Sequence, residues 1–302
     1  MAISHRTQST FLVSLLLLFA FSAFSQDQRV ADDLANSFRK VEVVRIASSR
    51  SSQALSFRVD DRFIRLAVTP HDLRSSSYKA QDRNTLGETL LARTPSNTFK
   101  GKVIGEENSV VRLSINGSLI EGYFTSRGER YFIEPASKYS RAAASDEFVV
   151  YRAEDVINRD NLSCGSAVEE KINFGKELVK NEIAETPQSL KRIEVATEAD
   201  LEFVTALGGA AAANNEILSI LNMVEGVYED ELSLSISVVF QHTWSIADPF
   251  GGANMDAVMQ NFRGYWNANF PTSTNPRDTT HLFSAKSNIL AQGYAYFGVV
   301  CA

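Results

Sequence analysis

The feature that most limits what this chain can fold into is a change of hydrophobic period near residue 191. From 54 to 135 the apolar residues alternate with polar ones in short runs, "ALSFRV", "RFIRLAV", "FKGKVIG", "SVVRLSI", "SLIEGYF" and "ERYFIEP". A period of two puts successive side chains on opposite faces, so these runs read as half-buried strands. Asp60–Asp61, Asn116–Gly117 and the "SRGE" stretch lie between runs and read as hairpin turns. At Asn116–Gly117 both residues tolerate the positive φ of a type I′ turn. Phe63 or Ile64, with Leu66 and Val68, is available to one face, and Val111, Leu113 and Ile115 alternate. The prediction for this half is an antiparallel meander stopped by Pro135, with "DEFVVYR" as one further strand and residues 26–50 as a helical or loose polar lead-in.

Beyond 191 the period lengthens. "RIEVAT" reads as a strand, and "AAAANNEILSILNMVEGVYEDEL" carries Ile217, Leu221, Val224 and Tyr228 at helical steps. "LSLSISVVF" sets Leu232, Leu234, Ile236, Val238 and Phe240 against serines, a half-buried strand. "MDAVMQNFRGYWNANF" places Met255, Val258, Met259, Phe262, Tyr265 and Trp266 on one helical face, and Pro271 ends that helix. "TTHLFSA" and "GYAYFGVVC" read as two more strands. Strands alternating with helices make an α/β layered domain, so the chain is α+β overall, a β-rich antiparallel part followed by an α/β part.

The first residues set the compartment. His5 and Arg6 precede the run "FLVSLLLLFAFSAF", and Ala23 and Ser25 stand three and one before Gln26. A basic start, a short apolar run and small residues at the cleavage site describe a signal peptide over 1–25. The run is shorter than the ~20 residues a membrane span needs, so the mature chain is expected to be exported and free of the membrane. The net charge of −6 offers no footprint for nucleic acid or anionic membrane. In an oxidising compartment, Cys164 and Cys301 read by default as one disulfide.

Motifs that would carry chemistry unaided are missing: no G-x-x-x-x-G-K-S/T, no G-x-G-x-x-G after a strand, no G-x-S-x-G and no C-x-x-C. Of four histidines, one is in the leader, and no two have H-x-x-x-H spacing. His242 and His281 read as structural histidines. Glu225, Glu229, Asp230 and Glu231 read as a solvated helix end rather than a cation site.

Several segments in order resemble the precursor of a reprolysin- or adamalysin-type metallopeptidase, a branch of the zinc-dependent metzincins. "FKGKVIGEENSVVRLSINGSLIEGYFTSRGERYFIEPA" resembles that family's propeptide, with its Y-x-I-E-P ending. "RIEVATEAD" and "NNEILSILNMVEGVYEDEL" resemble the opening of the catalytic domain. "DTTHLFSAKSNILAQGYAYFGVVC" is similar to its D-x-A-H-L stretch and edge strand. The resemblance implies a propeptide over 26–172, a linker over 173–190 and the N-terminal part of a metzincin-like (zincin) domain over 191–302.

The resemblance also implies site roles. "NLSCGS" is similar to the cysteine switch, in which a propeptide thiolate takes the open zinc position, so Cys164 becomes a candidate zinc ligand in competition with the disulfide. Cys301 matches a family cysteine whose partner lies further on. Glu194 and Asp278 match positions that ligate calcium in some members, although two donors fall short of the 6–8 oxygens calcium takes. Lys191–Arg192 resembles a maturation site and equally well opens a strand. Gly293, Tyr294, Ala295, Tyr296, Phe297 and Gly298 match the edge strand along which a polypeptide substrate adds antiparallel. The zinc motif H-E-x-x-H-x-x-G-x-x-H is not in the sequence, so the expectation is the front portion of a secreted zinc endopeptidase zymogen, truncated before its metal site and inactive as it stands. The alternative is a stand-alone secreted propeptide-like binding or inhibitory protein.

Overall fold

The structure, a computed structural model, describes residues 28–49, 54–157, 163–167, 190–287 and 291–296. The expected leader lies outside these residues, as does all of the expected linker except Leu190. The chain forms two compact units, one drawn from Met1–Thr69 and Lys100–Arg159, the other from Pro70–Phe99 and Asp160–Ala302. In chain order the strands up to residue 152 are β1 Glu42–Arg45, β2 Ala47–Ser49, β3 Ala54–Val59, β4 Arg62–Pro70, β5 Arg74–Asn84, β6 Gly87–Leu90, β7 Thr98–Val103, β8 Val111–Asn116, β9 Leu119–Ser126, β10 Glu129–Pro135 and β11 Glu147–Arg152.

The first unit is a nine-stranded sheet in the order β1-β11-β10-β9-β8-β7-β4-β3-β2. Only Ile46 separates β1 from β2, so the two ends of the sheet are chain neighbours and the sheet curls toward closure. The alternation in the sequence explains the core: Leu55, Phe57, Val59, Ile64, Leu66 and Val68 are buried, while Phe63 is 61% exposed. Ile64 rather than Phe63 is therefore the inward residue. A helical segment over 28–34 seats Val30 and Leu34 against Ala136 and Val149.

Two expected turns hold as two-residue loops with both residues at positive φ, Asp60–Asp61 and Arg127–Gly128. The third shifts by one residue. Asn116 pairs with Leu119, so the loop is Gly117–Ser118, and only Gly117 has positive φ, at 62°. Positive φ at the first loop residue alone is the requirement of a type II′ turn, which glycine there satisfies without a Cβ clash.

Residues 163 onward supply β12 Ser163–Ala167, β13 Lys191–Ala199, α1 Leu201–Leu207, α2 Ala210–Leu232, β14 Leu234–Trp244, α3 Met255–Asn269, β15 Thr279–Phe283 and β16 Ala291–Tyr296. The main sheet of the second unit runs β15-β13-β14-β5-β6. Its first four strands are mutually parallel and β6 returns antiparallel to β5. The meander expected over 54–135 is thus interrupted: β5 and β6 leave it for the other unit's sheet.

The helix starts follow from capping chemistry. Asp200 accepts from the Phe203 amide at 2.8 Å to open α1, and Asn254 accepts from Ala257 at 3.0 Å to open α3. Ser233, at φ 50°, closes α2 in the left-handed conformation. Leu232 therefore ends a helix and does not begin the strand assigned to it from sequence. Val195, Ala199, Ile217, Leu221 and Val238 form one core layer with α1 and α2, and Ala196, Phe240, Phe262 and Trp266 form another with α3. A bulge between Val238 and Phe240 sends these two residues into different layers. β14 is thus covered on both sides, not half-buried.

Candidate functional site

β12 and β16 form a two-stranded parallel ladder separate from the main sheet. Cys164 stands opposite Gly293, Gly165 opposite Tyr294, Ser166 opposite Ala295 and Ala167 opposite Tyr296. The Cys-Gly segment and the expected edge strand, 129 positions apart in sequence, are direct backbone partners. The strand runs Ala291–Tyr296, two residues ahead of the sequence expectation, and Phe297, Gly298 and Cys301 lie outside the described residues. So does any Cys164–Cys301 pairing. Within this unit, α3 seats β16: the Tyr294 hydroxyl donates to Asp256 Oδ1 at 3.1 Å, and the Arg263 guanidinium carbon stands 5.3 Å from the centre of the Tyr296 ring.

Glu194 and Asp278 are also brought together, through the backbone. The Glu194 amide donates to Asp278 Oδ2 at 2.7 Å, and the Asp278 amide donates to the Glu194 carbonyl at 2.8 Å. This reciprocal pair pins the start of β15 to β13 and already engages one carboxylate oxygen. Lys191 and Arg192 are the first residues of β13, exposed, and in register with Leu234 and Ser235.

One fully buried polar cluster of the second unit is only partly legible in the sequence. His242 is fully buried; its Nδ1 faces Glu198 Oε1 at 2.6 Å and its Nε2 faces Glu88 Oε2 at 3.1 Å. The other Glu198 oxygen accepts from the Trp266 indole N–H at 2.6 Å. Burial works against a charged His242 ring, but the two carboxylates outweigh it and hold its pKa above the usual imidazole value. A carboxylate oxygen at each ring nitrogen favours the doubly protonated ring, which bridges β13 and β6. The sequence marked His242 as structural and gave no sign of Glu198, Glu88 or Trp266 as its partners, which come from β13, β6 and α3.

Glu225 corrects an expectation outright. It is 1% exposed, pairs with His71 and accepts from the Ile236 amide at 3.0 Å. A carboxylate about two turns from a helix end is on the inner face here, tying α2 to β14 and to the chain entering β5, and is not solvated.

These side chains do not fit a zinc ion. Zinc at a catalytic centre takes three converging His, Cys or carboxylate ligands. Both nitrogens of His242 are engaged by carboxylates, His71 is committed to Glu225, and His281 is exposed on β15. Among the described residues no three His, Cys, Asp or Glu side chains converge as a metal-holding group, which leaves the Glu194–Asp278 pair short of a calcium shell as well.

With this geometry in view, the sequence is 24% identical over 266 residues, 82% of the chain, to human disintegrin and metalloproteinase domain-containing protein 22. The relation is distant and metallopeptidase-like. The match covers 29% of that protein, so the chain spans less than a third of the length of the curated relative it matches. Among solved structures, the crystal structure of metalloproteinase-II from Bacteroides fragilis matches 84% of this chain and 67% of that one, at 6% identity and a TM-score of 0.38. No protein-family profile matches the chain.

Proposed function

We propose that this chain carries the pro-region (26–172) and the N-terminal part of the catalytic domain (191–302) of a secreted zinc metalloendopeptidase zymogen of the reprolysin type. The observation that carries the reading is the β12–β16 ladder. The strand matched by resemblance to the substrate-binding edge is already occupied, by the chain's own Cys-Gly segment. The direction of pairing matters. A family substrate adds antiparallel, whereas β12 lies parallel, so its peptide groups face the edge in the opposite sense to a substrate's. A reversed strand fills the subsite without presenting a peptide bond for cleavage, which is what an inhibitory pro-segment needs to do.

On this reading Cys164 is the residue that would meet the metal, and zinc supplies the activated water in the family. The zinc motif is not among these 302 residues, and no hydrolytic step is assigned to them. Glu194 and Asp278 anchor the start of the strand that precedes the edge, with calcium an added ligand only if further donors complete the shell. The partner of the edge strand, once β12 is displaced, is an extended polypeptide.

The test is displacement of β12 in the full chain. Gly165→Pro removes a backbone donor from the middle of the strand and disfavours its pairing. A fluorescein-labelled extended decapeptide should then bind at least tenfold tighter than to the wild-type chain, read by anisotropy. Equal affinities, or no binding to either chain, would refute the occupied-edge reading.

A further inference from the structure

Residues 70–99 precede β12 by some sixty positions in sequence, yet they are built into the sheet of the second unit. We propose that the side of β14 away from β13 is a strand-acceptor surface whose occupant is the chain's own 70–99 segment, and that this segment stays seated non-covalently when the backbone is cut within 168–189. The inference stands on the second unit's internal contacts and is independent of the protease reading.

The segment is held at every level. Its backbone continues the sheet: the Val238 amide donates to the Leu73 carbonyl at 2.8 Å, and the Ser245 amide donates to the Arg83 carbonyl at 2.9 Å. Between these ends, β5 runs parallel to β14 from Lys79 opposite Phe240 to Arg83 opposite Trp244. Leu73, 3% exposed, belongs to the same core layer as Val195, Ile217 and Val238. The polar contacts are buried and specific. The Tyr78 hydroxyl donates to Gln241 Oε1 at 2.7 Å, and Asp82 Oδ1 accepts from Thr243 and Ser245, each at 2.9 Å. Glu88 closes the His242 clamp at 3.1 Å. At the two ends of the segment, His71 pairs with Glu225, and the Asn222 side chain donates to the Phe99 carbonyl at 3.2 Å.

Without this segment, β14 would present a long strand edge with unpaired amides. That is the arrangement that recruits another strand or aggregates. It would also leave buried Gln241 and Thr243, and the Nε2 side of the buried His242 ring, without these partners, each a costly loss in a low-dielectric interior. The surface therefore selects a parallel strand with a leucine at its start, a tyrosine five residues on and carboxylates nine and fifteen residues on. Residues 73–88 of this chain meet that description.

The experiment uses the full chain with part of 168–189 replaced by the recognition sequence of a protease that cuts nowhere else in it. After cutting, the two pieces should co-elute one to one on a native sizing column at about 1 μM. The Val238 and Ser245 amides should keep the hydrogen-exchange protection they have in the uncut chain. Because β12 also joins the two pieces, a Tyr78→Phe/Asp82→Ala variant isolates the β14 contribution. Its cut form should release its N-terminal piece at least tenfold faster than the wild-type cut form, while the uncut variant keeps its circular dichroism spectrum. Loss of β14 protection on cutting, or an unchanged release rate in the variant, would overturn the proposal. A two-to-two species with β14 protected would assign the surface to a second copy of the chain and overturn it equally.

Discussion

Replacing His242 by phenylalanine tests the buried clamp most directly. Phenylalanine keeps a planar ring among aromatic neighbours, with Trp244 at 5.5 Å and Phe270 at 5.1 Å between ring centres, but it is larger than histidine, and the resulting overpacking cost is shared by the single and double variants and cancels between them. What disappears is the positive charge between Glu198 and Glu88. Glu198 has no exposed surface and burial already pushes its carboxyl up, so without His242 it is left unpaired or forced to take a proton; breaking a buried pair in this way costs about 3–5 kcal/mol. Against a typical domain stability of about 5–15 kcal/mol this is a large fraction of the total. A second change, Glu198→Gln, removes the stranded charge while keeping an oxygen for the Trp266 indole. The His242→Phe/Glu198→Gln double variant should therefore be more stable than His242→Phe alone by about 2 kcal/mol, the signature of a coupled pair. Urea unfolding followed by tryptophan fluorescence reads this region selectively, because the only two tryptophans of the chain are Trp244 and Trp266. The pH dependence has a fixed sign. The folded-state pKa of His242 is raised, so its contribution is complete below the unfolded value of about 6.5 and is lost as pH rises through the folded value. The midpoint should fall on the alkaline side in the wild type, and that slope should flatten in His242→Phe. A loss under about 1 kcal/mol for the single variant, or a double variant equal to the sum of the singles, would refute the reasoning.

Three further outcomes follow from other contacts. Gly122 sits at φ 140°, where an added Cβ would stand 2.1 Å from the Arg112 carbonyl oxygen, so Gly122→Ala should destabilise the first unit by at least about 3 kcal/mol, measured by hydrogen exchange of its peptides. Asp72 is opposed by burial but held down to about 2 by Arg74 and Arg93. Its contribution, about 1 kcal/mol after allowance for partial exposure, should be present above about pH 4 and lost as the pH falls toward 2, and Asp72→Asn should remove that acid slope in urea titrations. Expressed with its own N-terminus in a secreting host, the chain should accumulate outside the cell beginning at Gln26, and an intact Met1 on the exported product would overturn the leader assignment.

The sequence was most legible where one local pattern settles a structure. Alternation alone identified β3, β4 and β7–β10, and turn chemistry identified the Asp60–Asp61 and Arg127–Gly128 loops, because both depend only on neighbours in the chain. The 3.6-residue period likewise placed α2 and α3, and the resemblance to a metallopeptidase precursor singled out Cys164 and the 293–298 stretch as separate pieces. What local pattern could not carry was partnership. Nothing in "RSSSYKAQDRN" says that this strand will leave the meander and pair with β14, since a strand's period is the same whichever sheet it joins. The bulge that moves Phe240 to a different layer from Val238 is equally silent, because it depends on the register against β5. Glu225 looked like one more acid at a helix end until His71 and the Ile236 amide closed over it. The His242 pKa is raised only because β13 and β6 bring two carboxylates to its ring, one of them held by the α3 indole. Sequence period follows from the geometry of one chain segment, whereas charge state, burial and strand pairing follow from which distant segments meet. That is decided by the free energy of the whole packed unit.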